Sequence, residues 1–166
     1  MGLYGHHKSV DQDRSVVPCS DICGTVVKVG GGGDDDGSPR WKEGDRVMAT
    51  FNQTHVSGQI QEQHMAHGLG LPLPGCLTEY RVFPAYGLVR VPDYMGADEA
   101  ACLPIAAVTA WMAINSFQPV GRPMTGRDKV VLLQGTGGVS VSGLQIAKAL
   151  GMTSTFFYPS VSRRTD

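Results

Sequence analysis

The sequence predicts a mixed fold of α/β plus β type: a small β domain, then a strand–loop–helix unit of the parallel kind. Three observations carry that prediction. Short β-branched runs separated by Gly and Pro turns fill the chain as far as Pro92. Alanine-rich, helix-forming sequence takes over from Gly96. Val130–Gln134 then runs directly into Gly135-Thr136-Gly137-Gly138, and a helix-like pattern follows at once.

Taken in order, residues 1–17 are polar and without a period, and Pro18 suits a strand edge. Cys19–Gly24 reads as a turn and Thr25–Val29 as a strand. Gly30–Arg40, with four glycines before Asp34-Asp35-Asp36, is a solvated loop; its acids lack the spacing of a calcium loop. Gly44-Asp45 is a turn leading into a strand through Ala49. Phe51–Gly70 is hard to read. His64 and His67 share a face there if the segment is helical, but no further ligands are evident, and hydrogen-bonded or exposed histidines with His55 are expected.

Leu77–Pro84 and Gly87–Pro92 read as two more strands. Asp98 and Glu99 suit a helix N-terminus, and Pro104 must interrupt or begin a helix, so two helical pieces are expected, the second over Ile105–Phe117. Gln118–Arg127 is a connector, Lys129–Gln134 a strand and Val139–Leu150 a helix with Val139, Leu144, Ala147 and Leu150 on its apolar face. Gly143 inside that helix is explained by close packing on the strand, and Gly151 is a natural C-cap. Met152–Tyr158 reads as a second strand, but with no helix after it a lone βα unit is not expected to form a parallel sheet.

Composition excludes several classes. The net charge of −1 gives no reason to invoke nucleic acid or an anionic membrane. The longest apolar stretch, Ala100–Ile114, contains Pro104 and falls short of the ~20 residues of a spanning helix. The N-terminus lacks a signal-peptide profile, so a cytoplasmic location is expected. Cys19, Cys23, Cys76 and Cys102 form no C-x-x-C pair and read as reduced, mostly structural thiols.

The strand–glycine–helix order at Val130–Ser140 has a physical use. The first amides of a helix lack intrahelical partners, and with the positive end of the helix dipole they make a phosphate site. Gly135 permits the turn and Gly137 lets a pyrophosphate approach the backbone. The third position of the dinucleotide fingerprint, usually Gly or Ala, is Ser140, and Gly138 partly compensates by removing another side chain.

Together, Pro18-Cys19-Ser20-Asp21 through Val26, Gly44-Asp45-Arg46-Val47, Gly75–Tyr80, Glu99–Pro104, Thr109-Ala110-Trp111 and Gly135–Ser140 come in one order across most of Val17–Gly151. In that order they resemble the medium-chain dehydrogenase/reductase family, the zinc-type alcohol dehydrogenase and quinone oxidoreductase relatives. The resemblance implies a partial GroES-like β-barrel domain over residues 1–95 and the first βα unit of a Rossmann NAD(P)-binding domain over residues 96–166, truncated at both ends. It implies hydride transfer between NADP (NAD being the alternative) and a carbonyl, alcohol, quinone or enone. Gly135, Thr136, Gly137, Gly138, Val139 and Ser140 would hold the cofactor, with Thr109 beside the nicotinamide.

Zinc-binding members carry Gly-His-Glu where this chain has Cys19-Ser20-Asp21, so no catalytic zinc is expected; the four-cysteine structural zinc loop is absent as well. No catalytic acid or base is assigned. Tyr80, Ser20 and Asp21 are candidates, each more readily read as structural. The resemblance places a 2′-phosphate contact after the second strand, where Ser160–Arg163 match poorly, and Arg163 and Arg164 read as a charged tail. Homo-oligomerisation is compatible with this reading. A non-catalytic association module is the competing one.

Overall fold

The computed structural model describes residues 17–30, 41–119 and 121–157. The readings of residues 1–16, of the glycine–aspartate run and of residues 158–166 lie outside them. By compactness the chain divides into two units, Met1–Pro104 and Ile105–Asp166.

The first unit is built on an antiparallel sheet in the order β1 (Cys23–Thr25), β2 (Arg46–Ala49), β3 (Leu88–Arg90). Cys23 faces Met48 across one ladder, and Met48 faces Val89 across the other. Alternation sorts β2: Val47 and Ala49 are buried, Arg46 and Met48 only partly so. Ala49, Leu69 and Cys76 form the core, with Ile22, Leu73, Phe83 and Leu88 packed around them. A short helix α1 (Ala97–Ala100) follows, and the amide of its N-cap, Gly96, donates to the Glu99 carboxylate at 2.9 Å.

Two strand readings need correction here. Pairing begins at Cys23, not Thr25, because the Gly44-Asp45 turn sets the register: Val26 and Asp45 close the ladder, with Gly44 at φ +88. The Leu77–Pro84 stretch forms no strand. Its alternation survives as exposed Val82 beside half-buried Arg81 and Phe83, but the backbone has no ladder partner among the described residues.

Phe51–Gly70 is a lobe closed by backbone bonds from Leu69 to Phe51 and from Gln53 to His67, with a 3-10 turn over Glu62–His67. Its histidines are all engaged. His64 accepts from the Gln61 amide at 3.0 Å, His67 meets the Thr54 hydroxyl at 3.1 Å, and His55 meets the Gly58 carbonyl at 3.0 Å. Among the described residues no group of three His, Cys, Asp or Glu is placed to hold a metal.

The second unit holds α2 (Ala106–Asn115), β4 (Val130–Gln134), α3 (Gly138–Ala149) and β5 (Thr153–Phe157). β4 and β5 pair in parallel, Leu132 facing Thr155, so a βαβ crossover is complete and the expectation of no parallel sheet is corrected. The crossover succeeds because α3 ends cleanly. Gly151, at φ +69, donates to Lys148, and Met152 donates to Ala147 at 2.9 Å, which turns the chain back into β5.

The buried face of α3 keeps Ala147, and partly Leu144 and Leu150, from the expected set but not Val139. Ser140, Gly143 and Ala147 are buried while Val139 is exposed. Small residues are selected because α3 lies close to both β4 and α2. A Cβ on Gly143 would stand 2.8 Å from Leu133 Cδ2 and 3.8 Å from Ala110 Cβ. Val130 and Leu132, on the opposite face of the sheet, are exposed. No helix of the described residues is long and apolar enough to cross a membrane.

Candidate functional site

The site is built where β4 hands the chain to α3. Gly135 turns at φ +73, a conformation that costs an L side chain about 1–2 kcal/mol. Its amide donates to the Phe157 carbonyl at 2.9 Å, tying the loop to the end of β5. Gly137 is the N-cap in extended backbone, and its carbonyl receives the Val141 amide at 3.0 Å. The amides of Gly138, Val139 and Ser140 therefore begin the helix with no acceptor inside it.

Open space lies over this loop. No atom stands within 4 Å of a Cβ built on Gly135 or on Gly137. Thr136, Gly137, Gly138 and Val139 are exposed, and the first turn of α3 has no acidic residue to repel an anion. These features fit a pyrophosphate: room for close approach, free amide donors and the positive end of a twelve-residue helix.

Ser140 takes a different role from its neighbours. Its hydroxyl donates to the Gln134 carbonyl at 2.8 Å, and the residue is buried. Side-chain contact with a ligand is thus replaced by an internal staple between helix and strand. Gly138 is constrained from behind, since a Cβ there would lie 3.4 Å from Ala106 Cβ on α2. Thr109 is exposed one turn further along α2. Thr109 on α2 and Gly138, where the glycine loop enters α3, thus lie on two packed helices of one unit. Ala106 and Ala110, which let α2 approach α3, were missed from sequence; their four-residue spacing in an alanine-rich helix was the available signal.

The remaining candidates belong to the first unit. Tyr80 lies exposed in the irregular stretch after Cys76. Ser20 and Asp21 are half-buried, and the Ser20 carbonyl accepts the Cys76 thiol at 3.4 Å. Cys19 adopts φ +68, rare for a residue with a side chain, at the position where the zinc-type pattern carries glycine. Gly75 and Gly70 crowd that segment. A Cβ on Gly75 would fall 2.2 Å from the carbonyl oxygens of both Pro18 and Cys19.

Known proteins match this arrangement. The alcohol dehydrogenase GroES-like domain family matches residues 2–93. A zinc-type alcohol dehydrogenase-like protein of Schizosaccharomyces pombe is 38% identical over 84% of this chain and 38% of its own length. A chloroplast envelope quinone oxidoreductase homolog of Arabidopsis thaliana is 31% identical over 80% of the chain and 33% of its length. The solved acetophenone reductase of Geotrichum candidum, in complex with NAD, superposes with a TM-score of 0.71 at 26% identity, covering 93% of this chain and 45% of that one. The chain thus spans less than half the length of these relatives. The chain belongs to the medium-chain dehydrogenase/reductase family through its alcohol dehydrogenase GroES-like domain.

Proposed function

We propose that the chain serves an NAD(P)-dependent oxidoreductase, binding the dinucleotide at Gly135–Ser140. The observation that carries this reading is the open space over Gly135 and Gly137 at the N-terminus of α3. Bound there, the nicotinamide cofactor supplies or accepts a hydride, with a carbonyl, alcohol, quinone or enone as its partner. The chain's own part is to hold the pyrophosphate on the amides of Gly138, Val139 and Ser140, while Gly137 leaves room for it. Thr109 borders the nicotinamide side. NADP is the proposed cofactor and NAD the alternative; the acetophenone reductase complex with NAD supports a nicotinamide dinucleotide of either kind.

The proposed hydride transfer uses no catalytic zinc. Cys19-Ser20-Asp21 supplies neither the histidine nor the glutamate of the zinc-type pattern, which supports that reading. Titration with NADPH and NADH, read by nicotinamide fluorescence, tests the site. Gly137→Val is expected to weaken binding at least tenfold while the circular dichroism spectrum stays unchanged. Failure of the unaltered chain to bind either cofactor at millimolar concentration would overturn the reading.

A second reading is favoured by one observation. Val130 and Leu132 stand exposed on the sheet face opposite α3, with Phe157 exposed on β5, as expected of an association module without catalysis. Sedimentation velocity separates the two: concentration-dependent assembly without cofactor binding supports the module, and a cofactor-binding monomer removes it.

A further inference from the structure

We infer that Cys19 and Cys76 form a thiol pair that a hydroperoxide closes into a disulfide. The Cys76 amide donates to the Cys19 carbonyl at 2.8 Å. Standard bond lengths then hold the two Cα atoms within about 6.7 Å of each other, inside the range of about 4.4–6.8 Å that a disulfide spans. The Cys76 thiol donates to the Ser20 carbonyl at 3.4 Å, so its sulfur lies against the segment that carries Cys19.

The frame around the pair is tightly built. The amides of Gly75, Cys76 and Leu77 donate to the carbonyls of Val17, Pro18 and Cys19. Arg81 donates to the carbonyls of Pro74 and Gly75 and lies 5.0 Å from the Phe83 ring centre. Gly75 leaves no space for the two segments to slide, as its virtual Cβ overlaps both carbonyls. The two segments are therefore held together before any bond forms, which lowers the entropic cost of joining them.

The partners are unequal. Cys19 is exposed and Cys76 is buried. Burial chiefly pushes the Cys76 thiol up, with Asp21 and Cys19 adding to that push and Arg81 opposing it. Solvent oxidant therefore meets Cys19 first. The Cys19 thiolate attacks the peroxide O–O bond, forming a sulfenic acid and releasing hydroxide or the corresponding alcohol. The Cys76 sulfur then attacks the sulfenic sulfur. The S–S bond forms, the S–O bond breaks, and water leaves with the thiol proton. Two thiols are oxidised by two electrons, and one hydroperoxide is reduced.

The test treats the intact chain with hydrogen peroxide, alkylates the remaining thiols and maps the peptides by tandem mass spectrometry. The expected result is two alkylatable thiols instead of the four cysteines of the reduced chain, with one link joining Cys19 to Cys76 and reversal by dithiothreitol. Cys19→Gly suits the φ of +68 and is expected to abolish the link without loss of fold. Cys23→Ala is expected to keep it. Four alkylatable thiols after treatment, a link through Cys23 or Cys102, or oxidation of Cys19 to the sulfinic acid with Cys76 still free would overturn the inference.

Discussion

The Ser140 hydroxyl donates to the Gln134 carbonyl at 2.8 Å, so the residue that breaks the dinucleotide fingerprint also fastens α3 to the end of β4. The third fingerprint position ordinarily serves close helix–strand packing, and a small hydroxyl meets that need by bonding the strand it touches. Replacing Ser140 with Ala should cost about 1 kcal/mol, the usual net worth of such a bond. Dinucleotide affinity should change less than twofold, because the amide at 140 remains. Urea unfolding beside a cofactor titration measures both. A stability loss absent within error would mean the staple adds nothing.

Gly143 and Leu133 form a second point of closure. A Cβ at 143 would stand 2.8 Å from Leu133 Cδ2, which is buried. Gly143→Ala brings a helix-propensity gain of about 1 kcal/mol against an overpacking cost of roughly 1–3 kcal/mol. The clash should win, giving a net destabilisation of about 1 kcal/mol. In a Leu133→Ala background the clash is gone, and the same change should become stabilising by about 1 kcal/mol. A double-mutant cycle by denaturant unfolding reads this change of sign.

Gly75→Ala should be the harsher substitution. Its new methyl group meets two backbone carbonyl oxygens at 2.2 Å rather than a flexible side chain, so neither side can give way. The first unit should lose roughly 3 kcal/mol or more. Thermal melting followed by near-ultraviolet circular dichroism would show it, and a melting temperature equal to that of the parent would contradict the packing described.

Asp45 gives the chain an acid-sensitive anchor. Its side chain is almost fully enclosed, and it accepts both Arg90 guanidinium bonds, at 2.8 and 3.0 Å, and the Lys42 amide at 3.0 Å. Arg90 first, then that amide, hold the carboxyl at about 2, below its ordinary 3.8. A carboxyl lowered on folding stabilises the folded state in full above 3.8, and the contribution fades as the pH falls toward about 2. Asp45→Asn should therefore lower the melting temperature at neutral pH. The gap to the parent should shrink below pH about 4. A gap constant across that window would assign the effect to packing alone.

Much of the second unit was legible in one dimension because its determinants are local. The φ +73 at Gly135, the φ +69 at Gly151 and the strand–glycine–helix order all depend on residues within a few positions of each other. The same holds for the Gly44-Asp45 turn and the strand after it. Leu77–Pro84 failed for the opposite reason: an alternating pattern becomes a strand only when another backbone is available to pair with it.

The sequence by itself determined the order of the helices and strands from Ile105 onward, the position of the glycine loop and the absence of the Gly-His-Glu zinc pattern, because each is written in residue types at short spacing. The tertiary structure decided how closely the faces pack and that Ser140 joins the inner one in place of Val139. Ser140, Gly143 and Ala147 form the inner face of α3 because β4 and the Ala106–Ala110 side of α2 come too close for larger residues. The same was true of Cys19 and Cys76, fifty-seven positions apart in the chain and joined by one backbone hydrogen bond. Periodicity reports which residues avoid water, whereas distance between distant segments is settled by packing alone.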